Sequence, residues 1–328
     1  MKTTIKEPTM PPEIATLQDS AAGSAAEILV SQGFNCFRFR AQVNGKPVDV
    51  IYAPPDFAAG QSRPSSGGIP LLFPFPGRIP GTSFIWEGKD YSLEPGDAFG
   101  NAIHGFALSR PWRVIEQSAN RVVGQFHAWR DDPTLKKRWP ADFRLTVTYS
   151  LTGNLLRGEF HIENPDDTPL PCGLGTHPYF RLPLGGSAAD DCVVKLPVSA
   201  RWELEQMLPT GRRLGLTNAA AFQSGQRFAD LKLDDVFSGL MMDGGWCSAS
   251  IHDPASGVTL TQRFTSAFRE CVVYTPPHRQ AICIEPYTCV AGGFALAARG
   301  IDAGVRIVAP GGSFSALVEI EAHGAARG

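Results

Sequence analysis

Residues 144–163 read Arg144-Leu-Thr-Val-Thr-Tyr-Ser-Leu151, then Thr152-Gly153-Asn154, then Leu155-Leu-Arg-Gly-Glu-Phe-His-Ile-Glu163. In the first segment Leu145, Val147, Tyr149 and Leu151 fall at every second position. That is the period of a strand with one buried face. Thr-Gly-Asn supplies a turn. Beyond it Leu156, Phe160 and Ile162 read as inward, and Arg157, Glu159, His161 and Glu163 as outward. Two alternating runs joined by a turn predict a β-hairpin.

The same design recurs along the chain. Segments 37–43 and 48–52 flank Asn44-Gly45, and segments 84–86 and 91–93 flank Gly88-Lys89. Segments 112–116 and 121–128 flank Ser118-Ala119-Asn120. Segments 271–275 and 281–285 flank a loop with Pro276, Pro277 and His278. Helical periodicity is nearly absent, with room for a short turn over 222–232. Thirty-four Gly and 27 Pro punctuate the 328 residues, which suits many short strands. The expectation is an all-β fold, a large antiparallel β-sandwich.

No linker or fixed-period repeat divides the chain. Residues 21–328 therefore read as one domain, and 61–68 as a surface excursion. Residues 1–20 are polar and Pro-rich and read as a loosely attached arm.

Composition excludes several classes of partner. Thirty bases against 32 acids give a net charge of −2, so no basic field calls for nucleic acid or an anionic membrane. The run Lys136-Lys137-Arg138 reads as a solvated loop. No apolar run approaches the roughly 20 residues of a membrane helix. Pro8, Pro11 and Pro12 stand where a signal peptide needs an apolar stretch. Seven cysteines without a C-x-x-C pair read as reduced thiols, which points to the cytoplasm.

The chain lacks a Walker A loop, a G-x-S-x-G elbow and an H-E-x-x-H zinc motif. Gly173-Leu-Gly175 starts like a dinucleotide fingerprint, but Thr176-His-Pro-Tyr-Phe180 follows, which suits a strand or turn rather than a helix. The candidates are instead polar residues in apolar company. Glu285 ends Ala281-Ile-Cys-Ile284, a run apolar on both faces and hence a central covered strand. It shares a face with the small Cys283 and Ala281, and Pro286 is expected to stop the ladder. A carboxylate there is paired, hydrogen-bonded or poised for chemistry.

His177 has Tyr179 two residues on, on the same face, with a ring on which a ligand can stack. His104 stands beside Gly105, which leaves room for a ligand. Either histidine alone is more often a satisfied core residue. His127, His161 and His323 read as solvent-facing. Arg78 emerges from Phe73-Pro-Phe-Pro-Gly77 as a candidate rigid hydrogen-bonding fork. Asp234 and Asp235, alone, are an ordinary solvated pair.

Together the motifs resemble the aldose 1-epimerase (mutarotase) family of the galactose-mutarotase-like class. The matching pieces are Phe75-Pro-Gly-Arg78-Ile79, Phe84-Ile-Trp-Glu-Gly88, Tyr91-Ser-Leu93 and Ile103-His-Gly-Phe106. They continue with Thr176-His-Pro-Tyr-Phe180, Leu233-Asp-Asp-Val-Phe237, Tyr274-Thr-Pro276 and Ile284-Glu-Pro-Tyr-Thr288. They keep the family's order over about residues 26 to 320. The resemblance implies a β-supersandwich with a concave sugar-binding face. It implies Glu285 as general base, His177 as general acid, and Arg78, His104 and Asp234 as sugar holders. It implies a small-molecule sugar as partner, and neither metal nor organic cofactor.

Gly77, where many members carry Asn, and Phe106, where many carry Gly, depart from the pattern near the expected sugar. The stretch from His104 to Trp112 also resembles the branch acting on hexose 6-phosphates, for which Arg110, Lys136, Lys137, Arg138 and Arg279 are the available cations. A neutral aldohexose is the favoured expectation. Three other classes compete: a glycosidase using Glu285 and Asp234, a silent carbohydrate-binding protein, and a metal site from His104, His177 and Glu285.

Overall fold

The computed structural model describes residues 12–186 and 188–324. It consists chiefly of antiparallel strands in two large sheets and a smaller four-stranded one. The hairpin expected over 144–163 is present as Arg144–Thr152 paired with Leu155–Glu163, in the register Val147 to Phe160. It lies inside a nine-stranded sheet, followed by Ser313–Gly324, Val258–Thr265 and Trp246–Asp253. The other four expected hairpins form as well.

The second large sheet holds Ala200–Glu205, Asp234–Ser238, Glu270–Tyr274 and Ala281–Tyr287 in that spatial order. Gly175–Thr176 and Leu71–Leu72 extend it beyond Ala281–Tyr287. The two sheets close on one apolar core. Leu145, Val147 and Phe160 enter it from the first sheet, and Val273, Ile282 and Ile284 from the second. Burying this much apolar surface, at about 25 cal/mol per Å², is the main force holding the sandwich. It also fixes register, because a one-residue slip of Ala281–Tyr287 would exchange Ile284 for Glu285 in the core.

Three expectations need correction. The arm expected over 1–20 does not extend that far: Ile14–Asp19 is a strand paired with Ser24–Leu29, with Leu17 fully buried. Its first eleven residues lie outside the described part. Pro286 does not stop its strand, which runs on to Tyr287 with Pro286 opposite Cys271. The short turn expected over 222–232 is present as the 3-10 turn Phe228–Asp230, preceded by a short helix at Ala219–Ser224. A further short helix, Gly293–Ala298, has no helical period long enough to read in sequence. Finally, Lys136 and Lys137 end a 3-10 helix rather than lying in a loop.

All seven cysteines are buried and unpaired. No helix among the described residues is long and apolar enough to cross a membrane.

Candidate active site

The strand Ala281–Tyr287 alternates between two buried environments. Ile282 and Ile284 point into the core, so Cys283, Glu285 and Tyr287 point to the opposite face. Over that face lies a cavity of about 340 Å³, within the range of small-molecule sites. Glu285, His177, Tyr179, Arg78, His104 and Asp234, six candidates spread over more than 200 positions of sequence, all line it.

Glu285 and His177 are in direct contact. His177 Nε2 lies 3.3 Å from Glu285 Oε1, with both side chains buried. The other carboxyl oxygen, Oε2, accepts a hydrogen bond from the Tyr287 hydroxyl at 2.7 Å. Burial pushes Glu285 well above the usual carboxylate range, against the hydrogen bond from Tyr287, which lowers it. Burial pushes His177 down to about 3. The state that burial favours is therefore a neutral acid facing a neutral imidazole, with one proton held between them. An ionised carboxylate–imidazolium pair is disfavoured there by desolvation.

The ring of Tyr179 stacks on His177, centroids 4.8 Å apart and 5° from parallel. Its hydroxyl donates to the Ser65 carbonyl at 2.8 Å. One face of Tyr179 is thus already covered by the imidazole, so its stacking partner in this structure is His177. His104 packs edge-on to His177, centroids 5.6 Å apart. Its backbone is left-handed, φ 67°, and its Nδ1 is buried with no partner. Burial first, with the charge of Arg78 adding to it, holds it well below the ordinary histidine value, so it is neutral.

Arg78 is anchored by a residue the sequence reading passed over: its Nε donates to Asp97 Oδ2 at 2.7 Å. The two adjacent acids separate cleanly. Asp234 reaches the cavity, while Asp235 pairs with Arg201 at 3.0 Å. Asp234 is solvent-exposed at the rim; desolvation on its protein side raises its carboxyl, and Arg78 opposes that rise.

The loop over 61–68 is no mere excursion, because Arg63, Ser65 and Ser66 line the cavity. Leu204, Met207, Val236 and Val272 form an apolar wall. An adjoining cavity of about 200 Å³ shares Arg63, Ser65, Ile103 and His104 with the first. Arg110 and Arg138 line it too, each held by an acid, Asp132 at 3.1 Å and Glu94 at 2.7 Å. Arg279 is elsewhere, bonded to Asp190 and to the carbonyls of Phe228 and Leu231.

The metal set considered from sequence is not the one the fold assembles. His177, Cys283 and Glu285 bring ligand atoms within 4.8 Å of one another, with Cys283 in place of His104. The Cys283 thiol is pushed well above its ordinary value by burial and then by Glu285. A metal ligand must be a thiolate, so this donor set fits a cation poorly.

A family model described as aldose 1-epimerase matches residues 32–321. The chain is similar to a galactose mutarotase-like protein of Clostridium acetobutylicum, with TM-score 0.83 and 22% identity over 96% of this chain and 99% of that one. It is also similar to the Slr1438 protein of Synechocystis sp. PCC 6803, with TM-score 0.75 and 26% identity over 98% and 99% of the two chains. Among curated proteins, the uncharacterized protein YphB of Escherichia coli is 26% identical over 119 residues. That stretch is 34% of this chain and 36% of YphB.

Proposed function

The chain belongs to the aldose 1-epimerase family, and we propose that it interconverts the α and β anomers of an aldohexose with a free anomeric hydroxyl. The observation that carries this reading is the buried 3.3 Å contact between His177 Nε2 and Glu285 Oε1 in the lining of the cavity.

Anomer exchange needs a base at O1 and an acid at the ring oxygen. Glu285 takes the O1 proton and His177 delivers one to the ring oxygen. The C1–O5 bond breaks, C1 becomes an aldehyde, the aldehyde rotates, and the ring closes on its other face. On closure O1 regains a proton from Glu285 and the ring oxygen returns its own to His177. The pair starts and ends with one proton, shared across the 3.3 Å contact, so the sugar's arrival needs only to move that proton onto His177. Arg78 and His104 supply donors for charge developing on the ring oxygen, in a site where low dielectric strengthens them. Asp234 accepts from sugar hydroxyls. No step calls on a metal or an organic cofactor, and dialysis against a chelator is expected to leave the rate unchanged.

A second reading, an aldohexose 6-phosphate, is favoured by one observation: Arg63, Arg110 and Arg138 around the adjoining cavity. Polarimetry of freshly dissolved α-anomers tests the first reading, and exchange NMR on the corresponding 6-phosphates tests the second. Faster relaxation of a neutral hexose supports the first. Exchange confined to the phosphate ester supports the second. Binding of sugar without acceleration of either would leave a silent carbohydrate-binding protein and overturn both. Release of reducing sugar from a glycoside would indicate the glycosidase class instead.

A further inference from the structure

The hydrogen bond to Glu285 Oε2 comes from a side chain for which the fold makes special room. Tyr287 is two residues beyond Glu285 on the same strand face, and the residue is 2% exposed. Gly175 lies directly opposite Tyr287 on the neighbouring strand. A Cβ at Gly175 would stand 2.7 Å from Tyr287 Cδ1 and 2.9 Å from Cε1, and equally 2.7 Å from Pro76 Cβ. The Gly173-Leu174-Gly175 motif thus has a local use: Gly173 clears Cys289 Sγ, and Gly175 seats the Tyr287 ring.

We propose that Tyr287, seated on Gly175, is a positioning residue that holds Oε2 of Glu285 and so presents Oε1 to His177 and the sugar. This rests on the reading of Glu285 as the base. A carboxylate at the end of a Glu side chain has two equivalent oxygens and a freely rotating terminal torsion. One hydrogen bond 2.7 Å long from a buried phenol removes that freedom. It leaves a single oxygen for proton exchange and favours the ionised form that accepts it.

The test is Tyr287→Phe, which keeps the ring in its seat and removes only the hydroxyl. Loss of a charge-assisted hydrogen bond is expected to lower kcat about 10- to 100-fold with KM little changed. The titration of the Glu285 carboxyl, followed by difference infrared spectroscopy with Glu285→Gln as the assignment control, should move to higher pH. Gly175→Ala, whose methyl crowds the ring as well as Pro76, should move that titration the same way. Combined with Tyr287→Phe it should add little. A Tyr287→Phe protein with wild-type kcat and an unmoved carboxyl titration overturns the proposal; should Gly175→Ala not fold, this variant decides alone. The infrared readout needs no sugar, so a wild-type protein that turns over no aldose would defeat the proposed activity while still deciding the role of Tyr287.

Discussion

Asp97 holds the guanidinium of Arg78 from behind, Oδ2 accepting from Nε over 2.7 Å. The same carboxylate accepts from the backbone N–H groups of Phe99 and Asn101 and from Asn101 Nδ2. Arg78 is therefore fixed by one edge, and its Nη groups meet no acceptor among the described residues. That leaves them for a ligand in the cavity. Asp97→Asn should raise KM for the sugar about tenfold, the worth of a hydrogen bond to a charged group. Steady-state kinetics checks this, and an unchanged KM would show that Arg78 needs no anchor.

The Glu285–His177 pair gives a sharper expectation. Glu285→Gln and His177→Asn should each cost roughly 10²–10⁴ in kcat. The double variant should be little worse than the worse single one, because both act in one exchange. Activity requires one proton on the pair, so the rate should fall on the acid side as a second proton binds and on the alkaline side as the last one leaves. Those limbs belong to the pair, not to either residue. A folded Glu285→Gln protein with wild-type anomerisation rates would reduce Glu285 to a structural carboxylate.

How much of this was legible in sequence follows from which interactions are local. The hairpin at 144–163 has its turn and its alternation in adjacent residues, so pattern alone located it. The resemblance brought Glu285, His177, Arg78, His104 and Asp234 together because each sits in a short motif. Asp97 carries no signal in sequence, and Tyr287, though part of the Ile284–Thr288 motif, has no role legible there, for a physical reason. Asp97 looks like a loop residue until the fold carries it to Arg78, nineteen positions away. Tyr287 matters only because Gly175, more than a hundred residues earlier, leaves its side of the ring empty. The strand at Ile14–Asp19 was missed because a polar, Pro-rich neighbourhood outweighed the buried Ala15 and Leu17.

Glu270 offers a test by pH. It is 2% exposed, its Oε2 accepts from Trp202 Nε1 at 2.9 Å, and Arg213 stands 3.7 Å from its other oxygen. Burial raises it from 4.5 to about 7, against the pull of Trp202 and Arg213. Between those two values the unfolded chain releases the proton and the folded protein keeps it. Folding stability from this group is thus present below pH 4.5 and lost as pH rises to about 7. Glu270→Gln retains an acceptor for Trp202 but cannot ionise. Relative to wild type, it should gain stability in urea titrations at pH 7.5 and not at pH 4.5. Asp97 acts with the opposite sign. Its burial is outweighed by hydrogen bonds from Asn101, Arg78 and Phe99, which hold it at about 2. It therefore affects only the acid end. Equal gains at both pH values would show that Glu270 does not titrate in this range.

His104 separates a functional histidine from a structural one. A core histidine keeps its place by satisfying both ring nitrogens, yet Nδ1 of His104 is buried without a partner. Its backbone is left-handed at φ 67°, which costs a His something and an Asn less. The residue therefore holds an unfavourable position, edge-on to His177, between the two cavities. His104→Asn keeps a residue tolerant of that backbone and shortens the side chain. It should leave stability within about 1 kcal/mol of wild type, since no made hydrogen bond of Nδ1 is lost. The sugar, by contrast, should lose a positioning contact, and kcat/KM should fall about 10- to 100-fold. Denaturant melts and anomerisation kinetics on the same preparation decide it. A large loss of stability with full activity per folded molecule would make His104 a core residue after all.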